Sequence, residues 1–371
     1  MGINRFKAWI YIERNLRDMP PKGAREWEHW ARHRELYGPI SSVTLFGTNI
    51  IIVNDGKAAI DLLEKRGGIH ASRPYMVFLM ELCGWFYTAS SLPYGPRLRS
   101  YRQRFHRFIG TQSALARYSH VQEVEAHRFL LRVLEKPETL LEHVRTEAGA
   151  IILKMAYGYT IQPHGTDPLV VIADLALAQF SVASMPGAWL VDTIPLLKYV
   201  PDWVPGAGFK KTSKFMKQTL TEAAQKPMDF VKHQMTAGTH EPSYVSDDLE
   251  KAGGANKVTE YDEHVTKWSA ASLYTGGADT SVSTMQTFFL AMLVYPEVQR
   301  KAQEEIDRVV GNGRLPTLED RKNLPYVDAV VNEAFRWHPV VPFGLPHVPL
   351  QDDIYEGYLI PKDAIIMSNI W

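Results

Sequence analysis

Residues 276–281, Gly-Gly-Ala-Asp-Thr-Ser, stand in the middle of a helical pattern running from about Glu260 to Val294. Two adjacent glycines inside a helix cost about 1 kcal/mol each relative to alanine. Close approach of a flat cofactor or substrate to the backbone is a reason to accept that cost. Asp279 adds a carboxylate, and Thr280 adds a hydroxyl that can take up a carbonyl one turn back and open the helix locally. An acid beside an alcohol, next to a gap, suits proton delivery. A structural Gly-Gly kink with an exposed Asp-Thr pair explains the same residues.

Three other patterns carry charge. Glu333 and Arg336, three apart on a helix from about Tyr326 to Trp337, share a face; the surrounding Val327, Val330, Val331, Ala334 and Phe335 predict that the pair is buried. The same spacing at Glu125/Arg128, Glu142/Arg145, Glu297/Arg300 and Glu305/Arg308 lacks that apolar setting. Arg97, Arg99, Arg102, Arg104 and Arg107 crowd one helix. Part of that run can face a carboxylate or phosphate, and a solvated basic face is the competing reading. His29 and His33 have an i,i+4 spacing, but without the Glu of HExxH or a third ligand they read as amphipathic helix surface. No P-loop, dinucleotide fingerprint or GxSxG elbow occurs.

The elements that must hold these residues are mostly helices. Apart from a first helix over about 22–37, helical patterns cover about 56–64, 96–108, 115–134, 140–157, 168–185 and 209–235. A hairpin is expected in SSVTLFGTNIIIVND, and strands return at Ile354, Tyr358–Ile360 and Ala364–Ile366. The fold class is therefore mainly α with small β-sheets (α+β) at the two sequence ends. TAGTHEPSYVSDDLEKAGGANK is polar and glycine-containing, and is predicted to be a surface loop. Residues 185–208 place Trp189, Ile194, Leu196, Leu197, Tyr199 and Trp203 on a proline-broken backbone, a mobile apolar lid that touches a membrane or admits substrate, or else a loop packed on its own core.

Composition narrows the class. The 371 residues carry 41 Lys+Arg against 41 Asp+Glu and are 45% apolar, enough for a sizeable core and unlike a disordered tail or a nucleic-acid binder driven by bulk charge. One cysteine, Cys83, excludes an intrachain disulfide framework and multi-cysteine metal sites, and fits an intracellular compartment. No run of apolar residues is long enough to span a bilayer.

Taken in order, WARHRELYGPISSVTLFG, ASRP, YGPRLRSYRQRFH, GGADTS, YPEVQRKAQEEIDRVVG, LPYVDAVVNEAFRWHPVVPFGLPH and YEGYLIPKDAIIMSNIW resemble a microsomal-type cytochrome P450, a haem-thiolate monooxygenase, nearest to fungal members of secondary metabolism. The resemblance implies one domain over 21–371 with the cytochrome P450 helical fold, incomplete at its C-terminal haem-binding part, after an atypical segment 1–20. It implies haem as cofactor, with Asp279 and Thr280 delivering protons to dioxygen. Gly276, Gly277 and Ala278 would pass over the haem, and Arg102 and His347 would meet its propionates. Glu333 and Arg336 would be a structural pair. The family's tryptophan four residues before Arg102 is Leu98 here.

The family's iron ligand is a cysteine in a Phe-x-x-Gly-x-Arg-x-Cys-x-Gly loop that is absent, and Cys83 lacks that loop. The expected metal ligand set is therefore none, and the expectation is a truncated or incompletely recorded chain. The implied activity is insertion of one oxygen atom from dioxygen into a hydrophobic small molecule, with electrons from an NADPH-dependent flavoprotein reductase. The rival is a catalytically inactive remnant, a helical protein that binds an apolar ligand or a partner. The family resides on the endoplasmic reticulum membrane, whereas this chain, with no transmembrane anchor, is expected in the cytosol or peripherally attached, with 185–208 as the contact.

Overall fold

The computed structural model describes residues 18–371 except 22, 46, 163, 164 and 256. Residues 1–17 of the atypical N-terminal segment, and the start of the first predicted helix at Lys22, lie outside the described residues. Two compact units appear among the described residues, 18–74 with 336–371, and 75–335.

The first unit is built on β-branched runs. Strands β1 (Ile40–Leu45) and β2 (Thr48–Val53) pair antiparallel from Ile40↔Val53 to Leu45↔Thr48, with Gly47 at φ 83 in the turn. A second hairpin joins β3 (Asp353–Tyr355) to β4 (Tyr358–Ile360). Its two turn residues, Glu356 and Gly357, both have positive φ, as a tight hairpin turn requires. Strand β5 (Ile365–Ser368) lies parallel beside β2, Ile50↔Ile365 to Val53↔Ser368, so the strands of the two sequence ends share one sheet. Alternation along β2 divides the core: Ile51 and Val53 pack with Leu62, Tyr355, Ile360 and Ile366, while Ile52 packs with Trp30, Val43 and Phe343.

The first predicted helix is two short ones, Glu26–Ala31 and His33–Tyr37. His33 corrects the reading of that helix as surface. It is buried, bonds Ser41 Oγ through Nδ1 at 3.1 Å and packs edge-on against Trp30 and Tyr37. Burial, more than the neighbouring charges, lowers its pKa.

The second unit is helical. Its longer helices are α1 (Pro96–Ile109), α2 (Ser119–Glu135), α3 (Leu140–Tyr157), α4 (Pro168–Ala183), α5 (Gly208–Ala237), α6 (Tyr244–Lys251), α7 (Glu260–Val294), α8 (Pro296–Val309) and α9 (Pro325–Trp337). Helix starts follow capping rules. Asp167 accepts from Leu169 N and Val170 N ahead of Pro168 in α4, and Thr259 accepts from Asp262 N ahead of an acidic first turn in α7. Helix α7 packs against α3, α4, α5 and α6 and is the axis of the unit.

Helix α6 overturns the predicted surface loop; Asn256, near that segment's end, lies outside the described residues. Ser243 and Ser246 close a capping box, and Tyr244, Val245, Ser246, Asp248 and Leu249 are buried. The stretch looks polar because its charged residues lie in a short helix, yet one of them, Asp248, faces inward. Its Oδ2 accepts from Thr266 Oγ1 of α7 at 2.6 Å and from Arg104 of α1.

Helix α3 ends at Gly158, whose φ of 65 is left-handed, and a Cβ there would stand 2.8 Å from the Glu241 carbonyl oxygen. Gly158→Ala is expected to cost about 2 kcal/mol, from the conformational penalty plus the forced backbone shift, read as a lower urea midpoint.

Between α2 and α3 lies a buried polar cluster. Glu125 Oε2, Glu147 Oε2 and Arg132 Nε and Nη2 have no hydrogen-bond partner among the described residues. Burial pushes the Glu147 carboxyl up to about 7; Arg132 opposes the shift and Glu125 adds to it. The unfolded chain releases this proton near pH 4.5 and the folded chain only near 7, so the contribution is present below 4.5 and lost as pH rises to 7. Glu147→Gln is expected to remove that slope and to raise stability at pH 8 by up to about 3 kcal/mol, checked by urea melts at pH 5 and 8.

Candidate active site on the central helix

Helix α7 runs unbroken from Glu260 to Val294, so the two glycines do not interrupt it. The side-chain bonds expected of its hydroxyls are present: Thr280 Oγ1 donates to Gly276 O and Ser281 Oγ to Gly277 O, each at 2.6 Å. They add to the helical ladder without displacing it.

The glycines have different reasons to be there. A Cβ on Gly277 would come within 2.6 Å of Ile152 Cγ1 on α3, so that glycine serves helix packing. A Cβ on Gly276 would meet nothing within 4 Å, so packing inside this unit gives no reason for it. Ala278 is buried in a core shared with Tyr157 and Tyr274. Gly276, Asp279, Thr280 and Ser281 are the exposed members of the motif, and the Thr280 hydroxyl bond ties two of them, Gly276 and Thr280, one turn apart. Asp279 points toward α3, with Oδ1 3.9 Å from Arg145 Nη1, and about half of its side chain is open to solvent. Asp174 of α4 lies within electrostatic reach of both. Burial raises its carboxyl pKa, Arg145 lowers it and Asp279 raises it further.

The arginines of α1 separate by partner. Arg104 bonds Asp248, Thr266 and Asp262, and Arg107 lies 3.6 Å from Asp248. The Arg97 and Arg99 guanidinium groups each sit 5.7 Å from the ring centroid of a tyrosine, Tyr87 and Tyr94. Arg102 is exposed and makes no ion pair or hydrogen bond among the described residues. Of the five it is the cation left for an external anion. His347 belongs to the first unit, where its Nδ1 bonds the His70 carbonyl at 3.0 Å.

Two apolar segments of the second unit meet below the N-terminal half of α7. Phe78, Trp85 and Leu79 form one core with Ala183, Val191 and Trp268. Trp189 stacks on Phe78 at 3.6 Å, Asp192 Oδ1 accepts from Phe78 N at 2.8 Å, and Lys198 Nζ pairs with Glu81 at 2.9 Å. Residues 185–208 are therefore a latched segment. Trp189 and Leu197, predicted to be exposed, pack inward, whereas Leu196, Tyr199 and Trp203 are 74%, 72% and 83% exposed.

The Glu333/Arg336 pair departs from expectation. Both side chains are exposed on α9, as are Val331 and Phe335, and Ala334 is the residue this helix buries. The apolar stripe that predicted burial faces outward in the described structure.

Haem requires open space for a flat ring, cations for its carboxylates and a ligand for its iron. The open space at Gly276, the adjoining Thr280 hydroxyl and the uncompensated Arg102 suit a flat group with an anionic edge. Cys83 does not suit the iron. It is fully buried, its Sγ is 3.8 Å from Met216 Sδ, and burial, with a smaller contribution from Asp192, pushes its thiol up to about 12. Thiolate is the form that binds metal. Cys83 is accordingly expected to resist iodoacetamide at pH 8 in the folded chain and to react at once in urea, as mass spectrometry would show. No cluster of three or more His, Cys, Asp or Glu able to hold a metal occurs among the described residues.

Comparison with known proteins shows the family of the chain. Cytochrome P450 monooxygenase ppsD of Aspergillus oryzae is 49% identical over 357 residues, covering 96% of this chain and 67% of that protein. Cytochrome P450 monooxygenase claR of Ampulloclitocybe clavipes is 47% identical, covering 96% and 65%. O-methylsterigmatocystin oxidoreductase of Aspergillus flavus is 41% identical, covering 96% and 67%. The chain thus spans about two thirds of the length of these curated relatives. A zebrafish cytochrome P450 solved with progesterone superposes with a TM-score of 0.73 at 23% identity, over 94% of this chain and 80% of that one, which shows the shared fold. The sequence profile of the cytochrome P450 family matches residues 21–371, and this chain belongs to that family, whose cofactor is haem.

Proposed function

We propose that residues 21–371 act as one domain of a haem-dependent monooxygenase that inserts one atom of dioxygen into a hydrophobic small molecule of fungal secondary metabolism, with electrons from an NADPH-dependent flavoprotein reductase. The observation that carries this reading is the exposed face of α7, where Gly276 leaves open space beside a Thr280 hydroxyl fixed to its carbonyl.

Haem, when bound, supplies the redox chemistry of dioxygen. The chain's own residues supply shape and protons. Gly276 admits a planar group close to the backbone. Thr280 gives its own proton to the Gly276 carbonyl, so its oxygen is free to accept a hydrogen bond on the open face. Asp279, half in solvent beside Arg145, can take a proton from water and pass it to that face by rotating away from the guanidinium. Arg102 would hold one propionate of the cofactor and His347 the other. The core around Phe78, Trp85 and Trp268 supports an apolar substrate.

For location we propose the endoplasmic reticulum membrane, touched peripherally through Leu196, Tyr199 and Trp203. No helix among the described residues is long and apolar enough to cross a bilayer. Replacing these three residues by serine is expected to reduce flotation of the protein with phosphatidylcholine vesicles by at least tenfold, each buried apolar side chain contributing about 1.5–3 kcal/mol.

The buried, high-pKa Cys83 favours a second reading for these 371 residues by themselves, a binding protein without turnover. Intact mass of the native product, the carbon monoxide difference spectrum of its ferrous form and incorporation of 18O from dioxygen into product test the first reading. A native product without a thiolate haem spectrum leaves the second.

A further inference from the structure

Two cations of the second unit border one small cavity without a hydrogen-bonded acceptor among the described residues. Arg117 follows the short helix Gln112–Ala116 and stands 3.6 Å from Asp247 Oδ2, too far for a hydrogen bond. Lys251, the last residue of α6, is exposed and makes no ion pair or hydrogen bond among the described residues. Both line a cavity of about 20 Å3 bordered by α1 and α6, together with Arg104, Arg107, Asp247 and Asp248.

The charges around this cavity do not cancel. Asp248 serves two arginines: its Oδ2 accepts from Arg104 and Thr266, and its Oδ1 lies 3.6 Å from Arg107. Asp247 faces Arg117, and no carboxylate pairs with Lys251. Four cations against two carboxylates leave the lining with a surplus of two positive charges, in a chain whose 41 Lys+Arg equal its 41 Asp+Glu. Asp262, which reaches Arg104 from outside the lining at 3.3 Å, offsets one of them. The two remaining lining residues supply no anion: Phe108 is apolar, and burial pushes the Tyr244 hydroxyl up to about 12.

Shape selects among anions. The cavity takes about one water-sized atom. Arg117 offers a planar fork and Lys251 a point charge, and both reach solvent, the Arg117 side chain being 53% exposed. A tetrahedral oxyanion can seat one oxygen in the cavity and turn separate oxygens to the fork and to the ammonium, and phosphate brings about 1.5–2 negative charges at pH 7. A carboxylate has a single oxygen left for both cations, and a halide has none.

We propose that Arg117 and Lys251, beside the paired Arg104 and Arg107, form a site for a phosphate dianion, free or carried as a monoester, that closes the seam between α1 and α6. The site uses none of the residues assigned to haem and stands or falls independently of the function proposed above.

The test is calorimetric titration of the 371-residue chain with inorganic phosphate at pH 7.5 and constant ionic strength. Arg117→Gln and Lys251→Gln are each expected to weaken binding about tenfold, the loss of one charged hydrogen bond. Both side chains are hydrogen-bonded to no described residue, so the fold should tolerate either change. Asp247→Asn removes the competing carboxylate and is expected to tighten binding about fivefold, a gain that a misfolded chain cannot give. Acetate is expected to bind more weakly than phosphate, and Lys226→Gln, at an exposed lysine of α5, to leave the affinity unchanged. The proposal is overturned if phosphate gives no saturable heat, if either Arg117→Gln or Lys251→Gln binds it as the wild type does, if Asp247→Asn binds no tighter, if Lys226→Gln loses as much, or if acetate binds as tightly. Displacement of phosphate by glycerol 3-phosphate identifies the monoester as a ligand; no displacement restricts the site to the free ion.

Discussion

Asp279→Asn is expected to lower product formation by the haem-loaded native enzyme by about two to four orders of magnitude, the usual span for loss of a positioned proton donor. Asparagine keeps the size of the side chain and gives up an exposed 3.9 Å ion pair with Arg145, so the thermal midpoint should stay within a few degrees. Thr280→Val removes the hydroxyl tied to Gly276 O. Dioxygen should still be consumed in that variant while the product formed per dioxygen falls and hydrogen peroxide rises. A fall in product with unchanged peroxide would place Thr280 in substrate binding rather than in proton transfer. Arg145→Ala separates the roles further. It frees Asp279 without removing its carboxyl group, so an Asp279-like loss in that variant would mean that the ion pair, and not the carboxyl alone, directs the proton.

Asp248→Ala is expected to cost the helical unit about 2–3 kcal/mol, because it leaves the nearly buried Arg104 with the more exposed Asp262, 3.3 Å away, as its remaining carboxylate. Asp248 joins α6 to α1 through Arg104 and to α7 through Thr266, so three helices lose a common anchor. A cavity of about 20 Å3 beside it, lined by Arg104, Arg107, Arg117, Tyr244 and Lys251 among others, has room for about one water, and on its other side Arg104 borders an open cleft lined by Ser100, Gln103 and Thr111. Asp248→Asn retains an acceptor for Thr266 and should cost less. Urea titration followed by circular dichroism measures both, and a cost below about 1 kcal/mol for the alanine variant would show that Arg104 escapes to solvent.

The sequence allowed the central helix, its bounds and its unusual residues to be read because periodicity and glycine cost are local signals. It did not allow the two glycines to be told apart, since the atom that excludes a side chain at Gly277 belongs to Ile152. Likewise the crowd of arginines on α1 was visible, but its division into partnered cations and the lone Arg102 depends on Asp248, Asp262 and two tyrosines. Helix α6 escaped notice because a short helix shows little more than one turn of pattern and its inward-facing Asp248 weakens even that. The stripe around Glu333 and Arg336 was legible as apolar; whether it is covered was not, since periodicity marks a face and says nothing of what lies against it.

The parallel pairing of β2 with β5 has a temporal consequence. Residue 50 must wait for residue 365 before its hydrogen-bonding edge is satisfied. At ribosomal rates of about 5–20 residues per second that wait lasts roughly 15–60 s. During synthesis the helical body, residues 75–335, is complete before the last strand of the mixed sheet emerges. The early hairpin therefore spends most of translation with an open β-edge of Ile50, Ile51 and Ile52, a template for wrong pairing. Chaperone demand should accordingly fall on the nascent N-terminal hairpin, and arrest of translation shortly before codon 365 should trap a species whose helical body resists protease while its hairpin does not.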